Sequence, residues 1–183
     1  MISDYFYQPF PVFDLNDIIL RELKESDAEN YFYYMGRSEM AEYLTKANMP
    51  SSIENALEEV RYWASLFSNK RSFYWAIAIK DTNQLIGTVG FNIISFNHLK
   101  AEISYDLDHN FWGKGIMLKS VKAVLKFADF ALGLVRIQAT VIVDNERSIK
   151  VLERCGFAKE GFLKKFEIVN GAHKDYYMYA RVN

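Results

Sequence analysis

The stretch at residues 105–117 constrains the fold most, because it combines the end of a strand, a turn with two glycines and the start of a helix. Gly113 and Gly115 flank Lys114 just before an amphipathic run. Backbone N–H groups at such a helix start can converge on an anion. A Walker loop would end in Gly-Lys-Ser/Thr, and a Rossmann loop needs a third glycine where Leu118 stands. The stretch therefore predicts an anion site of another kind.

The periodicity of the remaining chain predicts one α+β domain over residues 1–183, with an extended lead-in at residues 1–16. The expected order is β-α-α-β-β-β-α-β-α-β-β. Strands are predicted at residues 18–23, 72–80, 85–94, 100–108, 135–143, 157–169 and 172–182. Helices are predicted after Ser26 or Asp27, from Ser51 or Ser52 to about residue 69, at residues 116–131, and from Asn145 to just before Gly156.

Composition excludes several classes of protein. A hydrophobic fraction of 50% and a charged fraction of 25% are typical of a globular chain. No apolar run approaches the roughly 20 residues of a membrane span, and no signal-like segment opens the chain, so we expect a cytoplasmic protein without a membrane partner. One cysteine, Cys155, and three scattered histidines predict no metal site. A pI of about 6.3 without a basic aromatic cluster predicts no nucleic-acid partner.

Charge is distributed unevenly along the chain. Residues 1–60 carry 12 acidic and 4 basic side chains, whereas residues 61–183 carry 11 acidic and 18 basic ones. One interpretation is that the first part meets a cation and the second part an anion. The alternative is that these charges are scattered over solvated faces, since halves of a sequence need not be halves of the molecule.

Several collinear motifs resemble the RimJ/RimL-like branch of the GNAT superfamily of acyl-CoA-dependent N-acyltransferases. They are Glu102-Ile-Ser-Tyr-Asp-Leu, Phe111-Trp-Gly-Lys-Gly-Ile, Val121-Lys-Ala-Val-Leu-Lys-Phe-Ala, Val135-Arg-Ile-Gln-Ala, and the run from Asn145 to Phe157. The resemblance covers residues 18–182, and its specific part lies between residues 102 and 161. It implies a mixed, mostly antiparallel sheet flanked by about four helices and splayed between the strands at 102–108 and 135–143. The implied co-substrate is acetyl-CoA, without a metal.

The resemblance also implies which residues hold that co-substrate. The pyrophosphate loop of the family usually begins with Arg or Gln, and here Asn110 takes that place, which puts one side-chain contact in doubt. Asn145 and Ser148 face the co-substrate in this branch, although capping of the following helix explains them equally well. Arg154 either meets the phosphorylated ribose or lies on the surface. The full set of expected binding residues is Leu107, Trp112, Gly113, Lys114, Gly115, Ile116, Met117, Asn145, Ser148 and Arg154.

The implied reaction is direct attack of a neutral amine on the thioester. Backbone N–H groups near Tyr105 are the expected donors to the oxyanion that forms. Glu102 lies on the polar face of an alternating strand, where it is either the base for the amine or a solvent-facing carboxylate. Many relatives protonate the thiolate with a tyrosine, but Leu152 stands in its place, so Ser148 supplies the available hydroxyl.

The resemblance leaves the acceptor open between a protein N-terminal α-amine and a small cationic amine. It also leaves open whether the protein is a monomer or a homodimer. A rival hypothesis is a CoA-binding sensor or interaction module without turnover, because the family tyrosine is missing and Asn110 departs from the loop pattern.

Overall fold

The computed structural model describes residue 6 and residues 8–183, which form an eight-stranded sheet and five α-helices. The strands are β1 (Phe13–Asp14), β2 (Ile18–Glu22), β3 (Tyr74–Ile79), β4 (Leu85–Ser95), β5 (Lys100–Leu107), β6 (Arg136–Ile142), β7 (Ala158–Val169) and β8 (Ala172–Val182). The helices are α1 (Ala28–Met35), α2 (Ser38–Ala41), α3 (Ile53–Ser68), α4 (Ile116–Phe130) and α5 (Glu146–Arg154). Residues 1–5 and 7 of the predicted lead-in lie outside the described residues.

Two elements were not predicted from the sequence. The helix α2 has four residues, too few to show a helical period, so the expected number of about four helices is one short. The strand β1 has two residues inside the predicted lead-in and pairs with β2 through Phe13 and Leu20. Every other predicted helix and strand forms close to its expected bounds.

The sheet order is β1-β2-β3-β4-β5-β6-β8-β7. The neighbours β5 and β6 are parallel, and the other neighbouring strands are antiparallel. The chain returns from β5 to β6 through α4, as a parallel crossover requires. Pairing between β5 and β6 runs from Lys100 and Arg136 to Glu102 and Gln138, and the strands separate beyond that point. The expected mixed, mostly antiparallel and splayed sheet is therefore confirmed.

Helices cover both faces of the sheet. On one face α4 buries Val121, Val124 and Ala128, at the spacing of three and four that its amphipathic pattern predicts. On the other face α1 and α3 bury Tyr34 and Val60 among others. Because side chains alternate along a strand, odd residues of β5 face α4 and α5, and even residues face α1 and α3.

Gly90 on β4 lets an aromatic ring cross the strand. A Cβ atom at Gly90 would lie 2.3 Å from the Cδ2 atom of Tyr74 and 2.6 Å from its Cα atom. The ring of Tyr74 therefore extends from β3 toward β5, where its hydroxyl lies 2.9 Å from the Ser104 hydroxyl. Trp63 of α3 stacks on this ring with centroids 4.3 Å apart.

We expect Gly90→Ala to lower the free energy of unfolding by about 1–3 kcal/mol, because the new methyl group meets the Tyr74 backbone, which cannot move aside freely. Chemical denaturation measures this loss. Gly161→Ala on β7 is the matched control, since its Cβ would lie 3.8 Å from the nearest atom, the Cβ of Met178. Equal losses in the two variants would show that crowding at Tyr74 does not decide the outcome.

Candidate active site

The gap between β5 and β6 exposes backbone groups of β5. Asp108 donates its N–H to the carbonyl of Ile86 on β4 at 2.8 Å. Backbone groups of a strand point alternately to its two neighbours, so the N–H groups of Tyr105 and Leu107 point away from β4 and toward β6. Since the β5–β6 pairing ends at Glu102, these N–H groups face the open part of the sheet. An extended ligand in the gap can accept hydrogen bonds from them.

The glycine loop lies at the C-terminal end of β5. Gly113 and Gly115 have φ values of 76° and 74°, a left-handed backbone that favours glycine. A Cβ atom on either residue would meet nothing within 4 Å, so the loop surface is open. Gly115 is the N-cap of α4, and the first N–H groups of a helix have no partner within it. This combination of free N–H groups, open space and helix dipole fits a pyrophosphate.

Trp112 fixes the glycine loop to its surroundings. Its indole N–H donates to the carbonyl of Leu107 at 2.7 Å, which ties the loop to the end of β5. The guanidinium of Arg147, in the first turn of α5, lies 4.8 Å above the indole ring. Sequence reasoning predicted Trp112 as a backbone contact for the ligand and missed this bracing role of its side chain.

The first turn of α5 brings together two residues expected at the site. The side chain of Asn145 accepts the N–H of Ser148 at 3.1 Å, so the capping interpretation of Asn145 is confirmed. The Ser148 hydroxyl lies 2.8 Å from the Tyr105 hydroxyl, across the gap between β5 and α5. Burial raises the pKa of Tyr105, so its phenol stays neutral near pH 7. Two neutral hydroxyls thus meet where the gap opens.

Glu102 lies at the closed end of the gap. It is half-buried and opposite Gln138 in the last parallel pair of β5 and β6. Four residues of strand separate it from Asp106, which is about 13 Å at roughly 3.3 Å per residue. Ser104, between them, lies 2.5 Å from the side-chain oxygen of Asn92.

Asp106 is the residue of this strand face that sequence reasoning left without a role. Its carboxylate accepts the hydroxyls of Tyr34 and Thr88, each at 2.5 Å, and the N–H of Thr88 at 3.1 Å. Burial raises the pKa of Asp106 to about 6, although these hydrogen bonds oppose the shift. The alternation of β5 places Asp106 on the polar face, but nothing in the sequence shows that Tyr34 of α1 would meet it.

A second carboxylate lies on the same side of the sheet. Glu59 of α3 accepts the hydroxyl of Tyr31 at 2.8 Å, and burial raises the pKa of Glu59. The rings of Tyr31 and Tyr34 are in edge contact, with centroids 5.7 Å apart. Of the acidic side chains in residues 1–60, Glu59 therefore lies close enough to Asp106 to raise its pKa.

Basic residues line a pocket on the other side of the sheet. This pocket, about 260 Å³ in volume, lies between α4 and α5. Its lining residues are Lys122, Leu125, Lys126, Asp129, Phe130, Arg154, Cys155, Gly156 and Arg181. Arg154 is exposed there, and burial raises the pKa of the Cys155 thiol, as expected for a small buried side chain. Lys119, another cation of α4, forms an ion pair with Asp17.

In the part of the chain that the structure describes, none of the helices combines the length and the apolar character that crossing a bilayer requires.

Comparison with known proteins agrees with this geometry. The model of the acetyltransferase (GNAT) domain family matches residues 17–158. YoaA of Bacillus subtilis, named as an uncharacterized N-acetyltransferase, is 36% identical over 173 residues, which are 94% of this chain and 97% of YoaA.

Solved structures show the same architecture. The ribosomal-protein-S5-alanine acetyltransferase of Vibrio fischeri is 31% identical, with a TM-score of 0.84 over 94% of this chain and 97% of that one. The microcin C7 self-immunity acetyltransferase MccE, solved with acetyl-CoA and AMP, is 27% identical, with a TM-score of 0.81 over 92% and 93% of the two chains. With its splayed sheet and glycine loop, the chain belongs to the GNAT family of N-acetyltransferases.

Proposed function

We propose that this protein transfers the acetyl group of acetyl-CoA directly to a primary amine, either the α-amine of a peptide N-terminus or a small cationic amine. The observation that carries this proposal is the open end of β5, where free strand N–H groups adjoin the glycine loop at the start of α4. Acetyl-CoA supplies the activated acetyl group as a thioester. Residues of this chain bind acetyl-CoA, orient the amine toward the thioester, and give or accept protons.

The co-substrate side of the gap offers three kinds of contact. N–H groups of Trp112 to Met117 would hold the pyrophosphate, helped by the α4 dipole. Backbone groups of Leu107, together with Asn145 and Ser148 across the gap, would hold the pantetheine arm. Arg154, exposed in the basic pocket, would meet the phosphorylated ribose.

The reaction needs a neutral amine, so an acceptor that loses its proton easily is favoured. A lysine side chain is neutral in only about one molecule in 2,500 at pH 7, whereas an α-amine with a pKa near 8 is neutral in about one in ten. The Vibrio fischeri relative is named for a ribosomal-protein alanine, an α-amine target. A peptide N-terminus is therefore the first acceptor to test.

Glu102 is the proposed base for the amine, acting through water. Its position at the closed end of the gap leaves it about four residues, or about 13 Å along the strand, from Asp106. Since a general base reaches over hydrogen-bond distance or one water, a proton that covers this separation has to pass along a chain of several waters. The N–H groups of Tyr105 and Leu107, which face the gap, are the proposed donors to the developing oxyanion.

Ser148 is the proposed proton donor to the leaving thiolate, with Tyr105 holding its hydroxyl at 2.8 Å. We expect Ser148→Ala to lower kcat by about 10- to 100-fold, at or below the lower limit of about 100-fold for a lost general acid, because water can replace the serine in part. Steady-state release of free thiol measures this change. Ser68→Ala removes an exposed hydroxyl of α3 and is expected to keep wild-type turnover. Unchanged kcat in Ser148→Ala would leave protonation of the thiolate to water.

The whole proposal is tested by thiol release from acetyl-CoA across an amine panel. The panel contains peptides with different N-terminal residues, alaninamide, alanine, diamines and an amino sugar. Release of thiol with at least one amine, matched by acetylated product, is the expected result. Tight binding of CoA without release for any of these amines would favour the sensor hypothesis.

A further inference from the structure

Asp106 has a buried carboxylate whose hydrogen-bond donors are neutral. Tyr34 and Thr88 supply its hydrogen bonds, and neither carries a charge. Among the described residues, no Lys, Arg or His side chain lies within ion-pair distance of Asp106. A buried charge is costly unless an opposite charge compensates it, so Asp106 lacks the partner that buried carboxylates ordinarily have.

Within the described part of the chain, the elements packed around Asp106 add no positive charge. α1 presents Tyr31 and Tyr34, α3 presents Glu59, and β3 presents Tyr74. The charged group among them, Glu59, is itself acidic and raises the pKa of Asp106 further. This side of β5 is therefore a half-buried, aromatic and anionic environment that a cation would stabilise.

The position of Asp106 connects that environment to the gap. Its chain neighbours Tyr105 and Leu107 have backbone groups that face the open part of the sheet. The Asp106 side chain stands on the α1 and α3 face at the same level of the strand. The residue as a whole keeps partial exposure, whereas its carboxylate is enclosed by Tyr34 and Thr88, so an ammonium that pairs with the carboxylate has to enter through the part of the residue that stays exposed.

We infer that the Asp106 carboxylate pairs with the ammonium group of the acceptor and thereby holds the amine beside the end of β5. This inference rests on the proposed acetyl transfer to an amine, and it assigns the recognition of the acceptor's charge to one residue. Asp106 acts on binding, whereas Glu102 acts on proton removal, so the two carboxylates have separable effects on KM and kcat.

The inference also restricts the class of acceptor. A free α-amino acid would bring its own carboxylate close to Asp106 and Glu59, and the like charges repel. An amine whose neighbouring group is neutral, such as a peptide N-terminus or alaninamide, avoids this repulsion. Alaninamide is therefore expected to be a better acceptor than alanine, by about 10-fold or more in kcat/KM.

The test compares Asp106→Asn and Asp106→Glu with wild type, using alaninamide as the acceptor. Loss of the charge in Asp106→Asn is expected to raise KM for alaninamide by about 10- to 100-fold while kcat changes by less than about threefold. Asp106→Glu retains the charge and is expected to recover most of the affinity. Glu29→Gln, which removes an exposed carboxylate of α1, is the matched control and keeps the wild-type KM.

The pH dependence of amine affinity shows whether Asp106 binds the ammonium group or has only a structural role. Butylamine stays protonated between pH 5 and 8, because a primary alkyl amine has a pKa near that of lysine, about 10.4. Its affinity for the CoA complex of wild type is expected to fall as the pH drops through about 6, where Asp106 gains a proton. The affinity of Asp106→Asn is expected to be low and flat over this range. Thr88→Val, which removes a donor to the carboxylate, moves the wild-type inflection to higher pH.

The fold is expected to tolerate Asp106→Asn. The folded pKa of Asp106 lies above that of an unfolded aspartate, so its stabilising contribution is present below about pH 3.8 and is lost as the pH rises through about 6. Removing the charge near pH 7 therefore does not remove a stabilising ion pair.

Different results would overturn the role of Asp106 and the proposed function. Turnover of alaninamide by wild type, with an unchanged KM and an unchanged pH profile in Asp106→Asn, would overturn the role of Asp106 and leave the proposed function intact. A fall in activity of Asp106→Asn that appears only in kcat, or that follows a lower Tm, would also overturn it. Failure of wild type with every amine would instead remove the proposed function.

Discussion

Glu102→Gln lowers kcat by about 10- to 1,000-fold and leaves KM for the acceptor nearly unchanged, if Glu102 removes the proton from the amine. Glutamine keeps the size and hydrogen-bonding capacity of the side chain but cannot accept the proton. Glu102 is half-buried at the closed end of the gap, opposite Gln138. The substitution therefore keeps the shape of the site and changes its proton chemistry.

The measurement is kcat as a function of pH for wild type and Glu102→Gln with the same acceptor. We expect the pH dependence of kcat to differ between wild type and the variant, because glutamine cannot accept a proton from the amine. Glu160→Gln on β7, an exposed carboxylate paired with Arg136, is the matched control. If Glu102→Gln retains the wild-type pH profile, Glu102 is a solvent-facing carboxylate without a part in the mechanism.

Gly115→Ala is expected to raise KM for acetyl-CoA by about 10- to 100-fold, the cost of about one lost hydrogen bond to a charged group. The free loop has open space around Gly115, so the new methyl group meets no protein atom within 4 Å. It would instead occupy the space where the pyrophosphate approaches the N–H groups of α4. Titration of CoA binding by calorimetry measures the loss apart from turnover.

Gly133→Ala separates the effect on the ligand from backbone strain. Gly133 follows the other end of α4, has a φ value of 61°, and also has no atom within 4 Å of a Cβ. The strain of an alanine in this left-handed region is therefore similar at the two positions. Gly133→Ala is expected to bind CoA as wild type does. Equal losses of CoA affinity in both variants would contradict a pyrophosphate site at Gly115.

The sequence predicts most of the fold because its signals are local. Ser52 and Asn145 appear at helix starts as capping residues, and Asn170-Gly171 joins β7 to β8 in a tight turn. The apolar period of α4 sets the face that it buries. The helix α2 has too few residues for any period, and β1 is defined by its pairing with β2, so these two elements were not predicted.

The sequence predicts the part of the candidate site that is formed by residues close together in the chain. The glycine loop is contiguous in sequence, and both of its glycines adopt the left-handed conformation that the pattern suggests. The contact of Tyr34 with Asp106 joins residues 72 positions apart, and the contact of Tyr105 with Ser148 joins residues 43 positions apart. Such contacts depend on how the helices pack against the sheet, and a single sequence carries no signal for them.

The most direct test of acetyl transfer to an amine is a rapid-quench single turnover with excess protein, acetyl-labelled acetyl-CoA and a peptide bearing a free N-terminus. Direct transfer predicts that labelled peptide and free thiol form at the same rate, while the mass of the protein stays unchanged. Label that remains in the thioester with the peptide and with every amine of the panel would contradict the account, and so would label that reaches the protein before the amine.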